Sequence, residues 1–274
     1  MGTEQVQNVF FPEETLNIVR EASMMLSAEN LQLSSSFPTR PHTRTDGTFV
    51  GSLDSVLFGV SATHQAVYKA CKETVRYGCA TLCLPPSMME YAKYTFEGTQ
   101  PALHLTATIG FPYGDDTTAG KTAQMRDVAD CADEYEAMVN LAAVKDRDWR
   151  YLLDELVDLR RTADGKDFTA IIDGSVLDTY EKTVTAMLAL RAGCSYLKYY
   201  ATVETNQESI VNDVALFRML ADRTAGVRTH TCVKTCDDVL KLLAAGADRV
   251  GTVNIPAVAA AAGFIPQNIN YVSQ

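Results

Sequence analysis

Lys198 lies in the apolar run Ser195-Tyr-Leu-Lys-Tyr-Tyr200, which follows the helix-ending pair Ala192-Gly193. Barrel enzymes carry their reacting groups at the C-terminal ends of parallel strands, so a lysine there is a candidate amine nucleophile for a carbonyl. An amine attacks only when unprotonated, which calls for burial or a nearby cation. The aromatic neighbours Tyr196, Tyr199 and Tyr200 are placed to supply desolvation. On pattern alone, a lysine reaching solvent from a strand end, or one buried against a carboxylate, is the plainer reading. The cysteines Cys71, Cys79, Cys83, Cys131, Cys194, Cys232 and Cys236 are scattered and form no Cys-x-x-Cys pair, as reduced core thiols do. His230 and Cys232 with Cys236 lack the second spaced pair of a structural zinc site. Neither a metal nor a cofactor is expected.

The elements that must carry Lys198 follow from an alternation of short apolar runs with longer helical stretches. Strands are predicted over residues 53–58, 80–84, 103–109, 134–140, 168–173, 195–200, 227–229 and 249–252, eight in all, as in a closed barrel. Helices are predicted over 65–77, 118–129, 149–162, 178–192, 208–224 and 235–245, several ending at glycines suited to C-caps, such as Gly78, Gly193 and Gly246. The expected fold is therefore α/β, a TIM (β/α)8 barrel with an N-terminal helical extension. Residues 1–51 form the extension, with a helix from about residue 11 to 26 and a Ser/Thr/Pro/Gly-rich linker over 34–47; residues 52–274 form the barrel. A doubly wound nucleotide-binding sheet is disfavoured, because no Gly-x-Gly-x-x-Gly follows the first strand and no Walker motif occurs.

The formal charge of -10, with no long Lys/Arg run, makes nucleic acid and anionic membrane poor partners. No apolar stretch is long enough to span a bilayer, and the N-terminus has no signal-peptide pattern, so a cytoplasmic location is expected.

Several segments occur in a telling order: Ala62-Thr-His-Gln65, Thr81-Leu-Cys-Leu-Pro85, Phe111-Pro-Tyr-Gly114, Ala132-Asp-Glu-Tyr-Glu-Ala-Met-Val-Asn140, Gly193-Cys-Ser-Tyr-Leu-Lys198 and Gly246-Ala-Asp-Arg-Val-Gly-Thr252. Over about residues 53–255 the chain resembles the class I deoxyribose-phosphate aldolases, which cleave 2-deoxyribose 5-phosphate to glyceraldehyde 3-phosphate and acetaldehyde through a lysine Schiff base. The resemblance implies that Lys198 is the Schiff-base lysine. It also implies a proton relay at Glu136 and Arg228, where the family has aspartate and lysine, and a substrate pocket formed by Asp54, Cys83, Thr169, Tyr199 and Ala201. Thr169 replaces a family lysine, and Tyr199 and Tyr200 stand where small hydroxyls line the substrate path.

Arginine stays protonated and does not pass a proton as lysine does, and glutamate is one methylene longer than aspartate. The family's phosphate positions map to Thr202, Thr231, Cys232, Lys234, Val253 and Asn254. Side chains there replace the open glycine and serine backbone that a dianion needs. Tyr271 could imitate a terminal tyrosine of some family members. The leading expectation is a divergent aldolase-like barrel with little or no activity on 2-deoxyribose 5-phosphate and a binding or scaffold role. Its protein partner would be cytoskeletal by analogy with another class I aldolase family. The alternative is an active class I lyase cleaving 2-deoxyribose 5-phosphate or another aldehyde-releasing substrate, with a small aldehyde or sugar as partner. Assembly as a homo-oligomer is compatible with either reading.

Overall fold

The computed structural model describes residues 11–29, 31, 48–99, 101–201, 206–231 and 233–266. Eight parallel strands close in chain order into one barrel: β1 (Leu53–Val56), β2 (Thr81–Leu84), β3 (Leu105–Ile109), β4 (Glu134–Met138), β5 (Asp167–Asp173), β6 (Tyr196–Tyr200), β7 (Gly226–His230) and β8 (Arg249–Thr252), with β8 pairing back to β1. These strands read as apolar runs because they are buried almost throughout, inward against each other's side chains and outward against helices. The expected TIM barrel is the fold found.

Helices α1 (Glu13–Ala28), α2 (His64–Tyr77), α3 (Pro86–Thr95), α4 (Thr118–Asp127), α5 (Leu141–Lys145), α6 (Trp149–Thr162), α7 (Thr179–Arg191), α8 (Gln207–Ala221), α9 (Cys236–Ala244) and α10 (Ile255–Ala261) surround the barrel. Their starts are chemically marked. Asp178 and Thr235 form reciprocal capping boxes with Glu181 and Asp238, and Thr63, Thr117, Asp148 and Asn206 accept from backbone N–H groups of the first turns.

Three helices were not expected, each for a local reason. Pro85-Pro86 punctuates a strand end, yet Pro86 sits in the first turn of α3, where its missing N–H costs nothing. The fourth strand ends at Met138 rather than 140 because the Asn140 side chain caps Ala143 and starts α5. Asn254 does the same for α10. On the outer ring, α1 buries Ala22 and Leu26 and packs on α7, whose Arg191 donates to the carbonyls of Leu26 at 3.3 Å and Leu31 at 3.1 Å. The linker over 34–47 lies outside the described residues.

Strand register decides which residues share the barrel interior. Lys198 lies beside Arg228 across β6 and β7, and Tyr200 beside His230. Glu136 lies between Thr108 on β3 and Thr169 on β5. Because side chains alternate along a strand, these positions point inward together and their neighbours point out.

Candidate functional site

The barrel interior is charged from its floor upward. Nearest the N-terminal ends of the strands, Arg249 donates to Glu134 at 2.9 and 3.2 Å, and to Asp54 at 2.7 Å. Arg228 reaches Asp54 at 2.9 Å, Glu134 at 3.1 Å, the Thr169 hydroxyl at 3.2 Å and the Cys83 sulfur at 3.5 Å. The Tyr196 ring packs against both guanidinium groups, each 5.6 Å from its centroid. Toward the mouth, Lys198 Nζ donates to Glu136 Oε2 at 2.7 Å, and Thr108 donates to Glu136 Oε1 at 2.7 Å. Arg228 lies 3.5 Å from Glu136 Oε2 and links the two tiers.

All six charged side chains are essentially removed from water. Burial alone would raise the Glu136 carboxyl, but the charges of Lys198 and Arg228 and hydrogen bonds from Lys198 and Thr108 hold it below the usual carboxylate range. Burial opposes ionisation of Asp54 and Glu134 too, and the two arginines overcome it, leaving both depressed. Arg228 is pushed further up: burial and Arg249 work against its charge, while Asp54 and Glu136 prevail. Burial raises the Cys83 thiol to about 12, so it is not a thiolate nucleophile. Asp54, Glu134 and Glu136 thus balance Lys198, Arg228 and Arg249, and a proton passed from Lys198 to Glu136 leaves that balance unchanged.

Over this pair lies a ring of aromatic side chains. Phe58 meets Phe111 at 4.7 Å between centroids, Phe111 meets Tyr200 at 5.0 Å, Tyr200 stacks on His230 at 5.7 Å, and His230 meets Phe58 at 5.9 Å. Tyr200 and His230 are each two residues beyond Lys198 and Arg228 on their strands, one tier nearer the mouth. Phe111 is delivered by a tight turn in which the Gly114 N–H bonds the Gly110 carbonyl at 2.7 Å. At φ +69°, with the Val139 carbonyl oxygen 2.1 Å from where a Cβ would stand, position 114 has no room for a side chain.

Among the expected site residues, Lys198, Glu136, Arg228, Asp54, Cys83 and Thr169 come together inside the barrel. Tyr199 does not, which corrects its place in the pocket. Alternation from the inward Lys198 turns it outward, where its ring packs near Phe217 of α8 and so close to Gly174 that a Cβ there would lie 2.0 Å from it. Ala201 follows β6, half-buried against the core. At the mouth, Thr231 is half-buried, while Lys234 and Val253 are exposed. Thr202, Cys232 and Tyr271 lie outside the described residues.

Asn254 changes the start of α10. Its own N–H goes to the Thr252 hydroxyl at 3.1 Å, its side chain takes the Ala257 N–H at 3.4 Å, its carbonyl takes the Val258 N–H at 3.3 Å, and Pro256 has no N–H to offer. Few donors remain there for an anion.

Glu134, Arg249, Thr108, Phe58 and His230 were not anticipated as site residues. The signal for Glu134 was its spacing of two from Glu136, which puts both on one face of a strand. Among the described residues, no group of three or more His, Cys, Asp or Glu could hold a metal ion, and no helix is long and apolar enough to cross a membrane.

No protein-family model matches the chain. It is 29% identical over 194 residues to the deoxyribose-phosphate aldolase of Thermococcus kodakarensis, covering 70% of this chain and 86% of that protein. It is 27% identical over 200 residues to the deoxyribose-phosphate aldolase of Malacoplasma penetrans, covering 73% and 89%. A putative deoxyribose-phosphate aldolase from Coccidioides immitis shares the fold with a TM-score of 0.75 and 22% identity, over 90% of this chain and 98% of that one. The deoxyribose phosphate aldolase from Aeropyrum pernix, described as a unique tetramer, gives 0.68 and 20%, over 90% and 97%. In sequence the chain resembles the deoxyribose-phosphate aldolases, and it shares their fold.

Proposed function

We propose that this chain is a class I carbon–carbon lyase in which Lys198 is the Schiff-base amine and Glu136 its proton partner. The observation that carries the proposal is the 2.7 Å contact between Lys198 Nζ and Glu136 Oε2, at the mouth-side end of a charge-balanced cluster that runs from the N-terminal ends of the strands to their middle. Moving the shared proton to Glu136 frees the amine without creating net buried charge, the costly alternative. The amine then attacks the substrate carbonyl, and the Glu136 proton assists departure of water, leaving an iminium. In the cleavage direction a base takes the proton of the β-hydroxyl, the C–C bond breaks to release one aldehyde, and its electron pair enters the iminium as an enamine. Protonation at carbon and hydrolysis return the second carbonyl product and the free lysine.

Arg228 takes no proton in this scheme. Held by Asp54 and Glu134, it serves as a fixed positive charge that keeps Glu136 ionised until the proton moves. The names of the relatives favour an aldolase over a scaffold, and no feature of the described surface points to a cytoskeletal partner. Low activity on 2-deoxyribose 5-phosphate remains part of the proposal, supported by the engaged donors at the start of α10. A small aldehyde or sugar is the substrate class, a cytoplasmic setting fits the same reading, and light scattering checks for a homo-oligomer.

The test is reduction with borohydride in the presence of acetaldehyde, read by peptide mass spectrometry beside a cleavage assay on the phosphorylated sugar. A reduced adduct at Lys198, absent from Lys198→Ala, is expected. No adduct with acetaldehyde or a panel of longer aldehydes would sink the lyase reading in favour of a binding role.

A further inference from the structure

The aromatic ring over Lys198 is not needed to hold the charged cluster together, and none of its members supplies a proton in the scheme above. Its geometry is nonetheless closed: Phe58, Phe111, Tyr200 and His230, from β1, β3, β6 and β7 or the segments just after them, touch in sequence around the axis. Lys198 beneath is 1% exposed, and among the described residues these rings lie on the mouth side of it, in the way of a carbonyl approaching Nζ. The rim beyond them carries exposed apolar side chains beside the polar Lys234 and Asn254. Val60, Tyr113, Val176 and Val253, each in a loop after a barrel strand, are exposed by 105%, 59%, 39% and 73%.

We propose that Phe58, Phe111, Tyr200 and His230 form a specificity collar that admits an uncharged aldehyde with a flat apolar body and rejects a phosphorylated one. The inference rests on the Schiff-base reading for its chemistry, while the selectivity follows from the collar itself. A substrate entering the aperture replaces ring–ring contacts with ring–substrate contacts. A planar apolar body makes that exchange in kind, by offset or edge-on packing. A phosphate dianion loses its water and meets mostly ring faces and edges, with no cation in the collar and only the Tyr200 hydroxyl and one imidazole N–H to set against that loss. His230 does not rescue it: burial and the nearby Lys198 charge push the imidazole down to about 4, so it is neutral near pH 7. The start of α10, which borders the same mouth, has its Asn254, Ala257 and Val258 N–H groups engaged internally.

The experiment has two arms. In the first, binding of benzyl alcohol, an unreactive stand-in for benzaldehyde, is titrated against glycerol 3-phosphate by ligand-observed NMR, using the full chain and the variants Tyr200→Ala, Tyr200→Phe and Phe58→Ala. Benzyl alcohol is expected to bind at least about tenfold tighter than the phosphate, with a loss of about three- to tenfold when one ring is removed and near-full retention in Tyr200→Phe. Glycerol 3-phosphate binding equally or more tightly, or benzyl alcohol binding that ignores both ring deletions, overturns the collar. Should Tyr200→Ala fail to fold, Phe58→Ala decides. The second arm traps acetaldehyde and benzaldehyde with borohydride. Collar-dependent binding without any Lys198 adduct keeps the collar and removes the Schiff-base reading; an acetaldehyde adduct in a protein that prefers the phosphate does the reverse.

Discussion

Lys198–Glu136 inside the barrel and Lys121–Glu155 between α4 and α6 are both buried lysine–glutamate pairs, at 2.7 and 3.0 Å, with no side chain more than 1% exposed. Their surroundings differ. Lys121 has Glu155 and the Met138 carbonyl, with no second buried cation to favour the carboxylate. Burial then dominates both partners, driving the Lys121 amine down and the Glu155 carboxyl up, each toward its neutral form. Glu136, flanked by Lys198, Arg228 and Thr108, is driven the other way. The same two residue types therefore leave the carboxyl raised in one place and lowered in the other. Arg228, three strands away from β4 on β7, makes the difference.

The strongest way to break this contrast is to exchange the lysines' fates. Lys198→Ala is expected to abolish aldehyde trapping, by about 10³-fold or more, whereas Lys121→Met should leave the Lys198 adduct in place while lowering thermal stability. Loss of the adduct in Lys121→Met, seen by mass spectrometry, would mean that the outer pair also serves the chemistry. Next in size is Arg228→Met, which strands Asp54 and Glu136 without their shared cation. Denaturant unfolding should register a loss of ~3–5 kcal/mol, the usual consequence of leaving a buried charge unpaired. A loss below ~1 kcal/mol would show that Arg249 and Lys198 suffice.

A pH series separates the pairs by sign. Glu136, Asp54 and Glu134 have lowered values, so the folded state binds fewer protons than the unfolded one as the pH falls. Their contribution is present above the ordinary carboxyl range and is lost as pH drops through the depressed values. Glu155 is raised, so its contribution is present below the ordinary range and declines as pH rises through its raised value. The stability deficit of Glu155→Gln should therefore shrink from pH 4 toward pH 8, by up to ~1.4 kcal/mol for each unit by which the carboxyl is raised. Melting curves that stay parallel across that window would contradict the assignment. The smallest expected effect belongs to Thr108→Val, which removes one donor from Glu136. It should cost ~1 kcal/mol and slow trapping severalfold without abolishing it.

The barrel was readable because its strands are short apolar runs between capped helices, a pattern that local sequence carries well. The placement of Lys198, Glu136, Arg228 and Asp54 came from aligned motifs, and the register of β4, β6 and β7 brings those positions together. What escaped was the assignment of faces. Strand alternation from Lys198 sends Tyr199 outward and Tyr200 toward the mouth, a distinction already available in the residue numbers but masked by treating both rings alike. Arg249 and Glu134 were hidden for another reason: a charge inside a strand looks anomalous until its partners, from strands far apart in the chain, are known. The ring of Phe58, Phe111, Tyr200 and His230 is equally non-local, since no two of its members are close in sequence. His230 stands near Cys232 and Cys236 in sequence, the company of a metal ligand, whereas its neighbours in the fold are Phe58 and Tyr200.

The neutral sum of the barrel's inner charges also shapes what lies outside it. With Asp54, Glu134 and Glu136 offset by Lys198, Arg228 and Arg249, the formal charge of -10 is carried by the remainder of the chain. A diffusing anion therefore meets an opposing field before it touches the protein, over a range set by a Debye length of about 8 Å at physiological ionic strength. An uncharged solute approaches without that barrier. Added salt should accordingly quicken the encounter of a phosphorylated compound and leave that of a neutral aldehyde unchanged, so selection begins in the solvent around the molecule.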